Sequence, residues 1–234
     1  VWLGMGASGE GVEEFAALGV PMTRRGGMVD TAIAACRRLL LGQAAKGVDY
    51  LDTRTDIGPL EPPAPAPVPI IVGGRSLPAI QRAARLGDGW YPVWFTPEDL
   101  RTRVEILRET AASFGRSAPQ VIFLLVVHVA DRQPSESRAE VEEFVQGQYG
   151  MKAERLERWL AVGSRHAIGE QIEAYRSAGA DSIVMLPAGR SYEAQLEACA
   201  DIRQMFTPRP KASEDGPRSA RAERPDSTHN ALSS

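Results

Sequence analysis

The sequence predicts an α/β fold, parallel strands joined by helices, and three observations carry the prediction. Short apolar runs alternate along the chain with longer segments whose apolar residues recur at helical spacing. The run Val121–Val129 is almost unbroken in Val, Ile and Leu, as befits a strand covered on both faces. Two of the runs end in glycine-rich turns that lead straight into a helix start. With 43% hydrophobic residues in 234, the chain can fill one sizeable core.

The strands are expected at Trp2–Met5, Pro69–Val72, Gly89–Val93, Val121–Val129 and Ser182–Leu186. Between them Val29, Ile33, Cys36 and Leu40 form one helical stripe. Leu100, Val104, Leu107, Ala111 and Phe114 form a second, and Ile168, Ile172 and Tyr175 a third. A last helix runs through Leu196, Cys199 and Phe206. In the stretch from Glu61 to Pro69 each proline lacks an amide donor and pushes the residue before it out of the α region, so an extended connector is expected. The globular unit spans 1–207. In 208–234 the only large apolar residue is Leu232, too little to offset the entropy of ordering, and a disordered polar tail is expected.

Composition excludes several function classes. The 27 basic residues against 30 acidic ones give a net charge of -3, with no surplus to neutralise nucleic-acid phosphates. No apolar run approaches the length of a membrane span, and no secretory leader is recognisable, so the expected location is cytoplasmic. Cys36 and Cys199 are too few for a disulfide framework and are expected as reduced core residues. His128, His166 and His229 have no metal-ligand spacing.

Three clusters can carry chemistry. In Pro69-Ile70-Ile71-Val72-Gly73-Gly74-Arg75-Ser76 a buried strand ends in two glycines before a helix whose N-cap is Ser76. Glycines permit close approach of a phosphate, helix amides point at it, and Arg75 and Ser76 add donors. Such glycines also arise for purely steric reasons. Gly4-Met5-Gly6-Ala7-Ser8-Gly9-Glu10-Gly11 follows the first strand, but its spacing and the missing acidic residue about 20 positions on exclude a dinucleotide fingerprint. It leaves a close-approach loop in which Glu10 faces a ligand or water. Leu86-Gly87-Asp88-Gly89-Trp90-Tyr91-Pro92-Val93-Trp94 places aromatics at a strand end, where they wall a planar ligand or pack the core.

In order, these clusters resemble the luciferase-like family of flavin- or deazaflavin-dependent oxidoreductases. The resemblance rests on Leu3-Gly4-Met5-Gly6, Glu14-Phe15-Ala16-Ala17-Leu18-Gly19-Val20-Pro21 and Arg25-Gly26. It continues through Pro69 to Gly74, Arg82-Ala83-Ala84-Arg85-Leu86-Gly87-Asp88-Gly89-Trp90 and Ala178-Gly179-Ala180-Asp181-Ser182-Ile183-Val184, and covers the chain to about Phe206. It implies a (β/α)8 TIM-barrel type of fold, with flavin mononucleotide (FMN) or the deazaflavin coenzyme F420 bound non-covalently for hydride transfer or oxygen activation on a small organic substrate. The cofactor phosphate is carried over to Gly73, Gly74, Arg75 and Ser76, the ring side to Gly6 and Ser8, with Trp90 also cofactor-binding. Glu10 is the acid/base candidate and tilts the comparison toward the deazaflavin branch.

The resemblance aligns Val1 with the middle of a fourth barrel strand, so an incomplete barrel with about the last five strands is expected. Two open edges and an unfilled interior would make such a chain marginal on its own. Another polypeptide completing the barrel, a misassigned start or a degenerate remnant each accounts for this, with the start favoured. The rival to an oxidoreductase is thus a non-catalytic flavin-binding remnant. The partner expected is a small-molecule substrate, with neither nucleic acid nor membrane, and a homo-oligomer is compatible with the sequence.

Overall fold

The computed structural model describes residues 1–7, 12–50, 53–130, 134–150, 152, 154 and 156–206. The expected disordered tail falls outside the described residues. The elements run β1 (Leu3–Met5), α1 (Val12–Ala17), α2 (Arg25–Leu40), β2 (Ala45–Tyr50), β3 (Thr53–Ile57), β4 (Ile70–Gly73), α3 (Leu77–Leu86) and β5 (Gly89–Tyr91). They continue with α4 (Pro97–Ser113), β6 (Gln120–Val129), α5 (Pro134–Tyr149), β7 (Leu160–Gly163), α6 (Arg165–Ser177), β8 (Ser182–Pro187) and α7 (Tyr192–Met205).

The sheet is parallel throughout, in the order β1-β4-β5-β6, with β6 also pairing β7 and β8. Among the described residues all five expected strands are present in consecutive order, an open arc of a barrel rather than a closed one. Two additions were not read from sequence. The antiparallel pair β2-β3 is an excursion from the barrel path, and α5 with β7 is another.

Backbone hydrogen bonds fix where β7 lies. Leu124 donates to Pro92 and Ala130 donates to Gly163, so the even-numbered residues of β6 face both the end of β5 and β7. The odd-numbered carbonyls of Val121 and Val127 accept from Asp181 and Ala188, on the β8 side. β7 therefore enters where β5 stops, and β6 is paired on both sides.

Strand alternation divides β6 between two packed faces. Phe123, Leu125, Val127 and Val129 meet Ile168, Ile172 and Tyr175 of α6 and Ala198, Cys199 and Ile202 of α7. The rings of Phe123 and Tyr175 stack at 4.4 Å, and the Tyr175 hydroxyl donates to the Phe95 carbonyl at 2.9 Å. Fully burying a side chain such as Phe123 contributes about 1.5–3 kcal/mol. On the other face Val126 joins Trp94, Val141, Val145, Leu156 and Ala188 in a second cluster. Phe114 departs from its predicted stripe: it stands at the C-cap of α4, 57% exposed beneath Arg85. Leu196 is likewise exposed, and Cys36 is only half-buried; both cysteines are free.

Local chemistry sets the element ends. Ser76, Thr96 and Ser164 each cap a helix by accepting from the amide three residues on, at 3.4, 3.2 and 3.2 Å. At the strand starts two aspartates do a related job. Asp88 accepts the amide of Ile70 at 2.9 Å and the Arg37 guanidinium at 3.0 Å, while Asp181 accepts the amide of Val121 at 2.7 Å. Each aspartate thereby ties its own strand to the first residues of the neighbouring one, at the end of the sheet opposite the glycine turns. Arg82 pairs with Asp30, joining α3 to α2.

Candidate functional site

The site begins where β4 stops. Ile70, Ile71 and Val72 are buried, and the chain then emerges through Gly73 into Gly74, Arg75 and Ser76, of which the last three are exposed. Gly74 has φ +124°, and a Cβ there would stand 2.8 Å from the Cβ of Ala79, so both conformation and space demand glycine. Behind the turn, the Gly74 amide reaches the Tyr91 carbonyl at 3.4 Å and the Trp90 indole donates to the Gly74 carbonyl at 2.8 Å. In front, the amides of Ser76 and Leu77 at the start of α3 have no hydrogen-bond partner among the described residues. An amide pair at the positive end of a helix, beside an arginine and a serine hydroxyl, is a cradle for an anion.

Gly6, just past β1, lies against this turn: a Cβ on it would come 3.9 Å from the Gly73 carbonyl oxygen. The structure thus brings together Gly6, Gly73, Gly74, Arg75 and Ser76 at the C-terminal ends of two adjacent parallel strands. Ser8 and Glu10 lie outside the described residues.

Trp90 is placed differently from the expectation. Its ring is wholly buried in the helix-side core, 6.1 Å from the Phe95 ring. The strand's alternation sends it behind the turn, so it holds Gly74 and offers a ligand no surface. The Asp-Gly-Trp motif supplies one strand clamp, one close-packed glycine and one turn support. A Cβ on Gly89 would meet Ile71 at 2.7 Å.

On the inner face of the sheet the next residue, Tyr91, is half-buried. Burial pushes its phenol above the ordinary value, and burial followed by the neighbouring Tyr91 does the same to Tyr149. The Tyr149 ring packs edge-on to Trp94 at 5.0 Å, and Trp94 lies 6.2 Å from Trp159. His128, also on the inner register, is 3% exposed and donates from Nδ1 to the Ala188 carbonyl at 2.7 Å. The sequence offered Tyr91 only as one of several aromatics that wall a ligand or pack the core, and His128 only as a histidine without metal-ligand spacing; alternation from Trp90 and along Val121–Val129 is the signal that places both on the inner face. Among the described residues no group of three or more His, Cys, Asp or Glu could hold a metal ion, and no helix is long and apolar enough to cross a membrane.

Residues 1–182 match the family model described as luciferase-like monooxygenase. An uncharacterized protein of Mycobacterium tuberculosis is 35% identical over 133 residues, which cover 53% of this chain and 42% of that protein. The match therefore spans less than half the length of that curated relative. Among solved structures, an F420-dependent secondary alcohol dehydrogenase superposes with a TM-score of 0.72 at 15% identity, covering 86% of this chain and 68% of that one. The coenzyme F420 dependent tetrahydromethanopterin reductase from Methanopyrus kandleri gives 0.64 at 15% identity, with 88% and 74% covered. The monooxygenase RslO1 from Streptomyces bottropensis gives 0.61 at 21% identity, with 86% and 65% covered. At these identities the likeness is one of fold.

Proposed function

The chain belongs to the luciferase-like monooxygenase family, and from that premise we propose that it is an oxidoreductase holding FMN or the deazaflavin F420 by its phosphate at Gly73, Gly74, Arg75 and Ser76. The observation that carries this reading is the pair of amides at Ser76 and Leu77 without partners among the described residues, behind a turn that only glycine can make. A phosphate fits there. The amides and the Ser76 hydroxyl donate to its oxygens, and the Arg75 side chain adds positive charge. Gly6 leaves room for the ligand's body to pass between the ends of β1 and β4. Trp90 is a positioning residue that fixes the Gly74 carbonyl and so the angle of the cradle.

Bound there, such a cofactor supplies hydride transfer or oxygen activation, acting on a small organic substrate. Glu10 is assigned the proton-transfer role, at a carboxylate in the segment after β1. Two relatives in fold carry F420 in their names and one is named a monooxygenase, which supports a flavin-type ligand while leaving its identity to experiment.

The test is a titration of the full chain with FMN and, separately, with F420, following ligand fluorescence and thermal shift together. Saturable binding with a raised melting temperature is expected for one of them, and Gly74→Ala should abolish it. Binding of neither by a folded chain overturns the proposal. A second reading, binding without turnover, draws on the open inner face, where Val162 and Val184 are each 39% exposed. Saturable binding without substrate-dependent reoxidation of the reduced cofactor would favour it.

A further inference from the structure

We infer that Tyr91, rather than the neighbouring tryptophan, is the aromatic side chain that touches the ring system of the ligand anchored at the glycine turn. The inference rests on the phosphate reading above and deepens it. β5 is short, and the direction of Trp90 into the helix-side core fixes Tyr91 on the opposite, inner face. Tyr91 is the register partner of Gly73, and its carbonyl receives the Gly74 amide, so no residue separates it from the turn. A phosphate ester seated on the first amides of α3 must direct its remaining atoms away from the helix. The way inward, over the strand ends, passes the Tyr91 ring.

The surroundings suit a planar heteroaromatic group. Tyr149, at the end of α5, stands beside Tyr91 and packs against Trp94 and Phe144 at 5.0 and 6.4 Å, extending one aromatic wall. Among the described residues the Tyr91 hydroxyl has no hydrogen-bond partner, which leaves it to donate to a ring carbonyl or ring nitrogen. Burial raises the phenol's pKa, so the donor keeps its proton through the neutral range.

The test uses a signal that a structural role would not move. An excited oxidised flavin takes an electron from a tyrosine in van der Waals contact and loses its fluorescence; phenylalanine cannot supply that electron. The full chain and its Tyr91→Phe, Tyr91→Trp and Tyr149→Phe variants are titrated with FMN and with F420, recording Kd and the fluorescence lifetime of the bound ligand. In Tyr91→Phe, Kd should rise about 3- to 10-fold for one lost hydrogen bond, and the bound lifetime should lengthen severalfold. Tyr91→Trp keeps an electron-donating ring and should stay quenched, as should Tyr149→Phe. Far-ultraviolet circular dichroism verifies folding; should Tyr91→Phe misfold, the Tyr91→Trp lifetime decides. An unchanged lifetime in folded Tyr91→Phe, a bright Tyr91→Trp complex, or a wild-type complex as bright as free ligand overturns the assignment. Failure of wild type to bind either probe overturns the phosphate reading itself, and this inference with it.

Discussion

Tyr175 shows how a single buried phenol couples the fold to pH. Burial, and secondarily the charge of Glu98, push its pKa from 10.0 up to about 12, while its hydroxyl donates to Phe95 between α4 and β5. Folded and unfolded chains both keep the proton below pH 10, so the contribution is intact there. Between pH 10 and about 12 the unfolded chain ionises first and stability falls by about 2–3 kcal/mol. Urea unfolding across that window should show this drop in the parent and a correspondingly shallower one in Tyr175→Phe. Tyr91, Tyr149 and Cys199 shift in the same direction in both proteins, so the difference between the two isolates Tyr175.

Helix α3 is built for two purposes that can be separated by experiment. Its cap, Ser76, stabilises the helix through the Ala79 amide, and the same residue offers its own amide and hydroxyl to the outside. Ser76→Ala should cost about 1 kcal/mol in urea unfolding. Ser76→Asp should restore the cap yet weaken phosphate binding by placing a like charge in the cradle, and a stability loss equal to that of alanine would contradict this account of the cap. The strand before this turn and the helix after it were legible because Ile70, Ile71 and Val72 are buried on both faces and α3 buries one stripe behind its Ser76 cap. The pair β2-β3 was not, because Lys46, Asp49, Arg54 and Asp56 scatter charge along a ribbon whose β3 is exposed at every residue, leaving no alternation to read. Within the site, glycines and N-cap were visible as types in order. The direction of Trp90 against Tyr91 was not, since it depends on which face of β5 the helices cover.

At the scale of the molecule, stability should be uneven. β6 is paired on both sides and packed on both faces, whereas β2-β3 is a two-stranded ribbon, an arrangement marginal without further support. Hydrogen exchange should therefore find the amides of Ile122–Val127 among the last to exchange and those of Thr53–Ile57 among the first. Equal protection in the two segments would mean that the ribbon is buried against something in solution.

The aspartates at the strand starts have a further consequence for how such a sheet assembles. Asp88 and Asp181 each aim a carboxylate at one particular amide of the adjoining strand, Ile70 and Val121. Parallel strands present amides and carbonyls alternately along an edge, so a slip of one residue would turn that carboxylate toward a carbonyl oxygen, trading attraction for repulsion. Each carboxylate thus rewards the native register and penalises its nearest alternative at the first rung of the strand pair, a local marker of alignment in a topology built from non-local contacts.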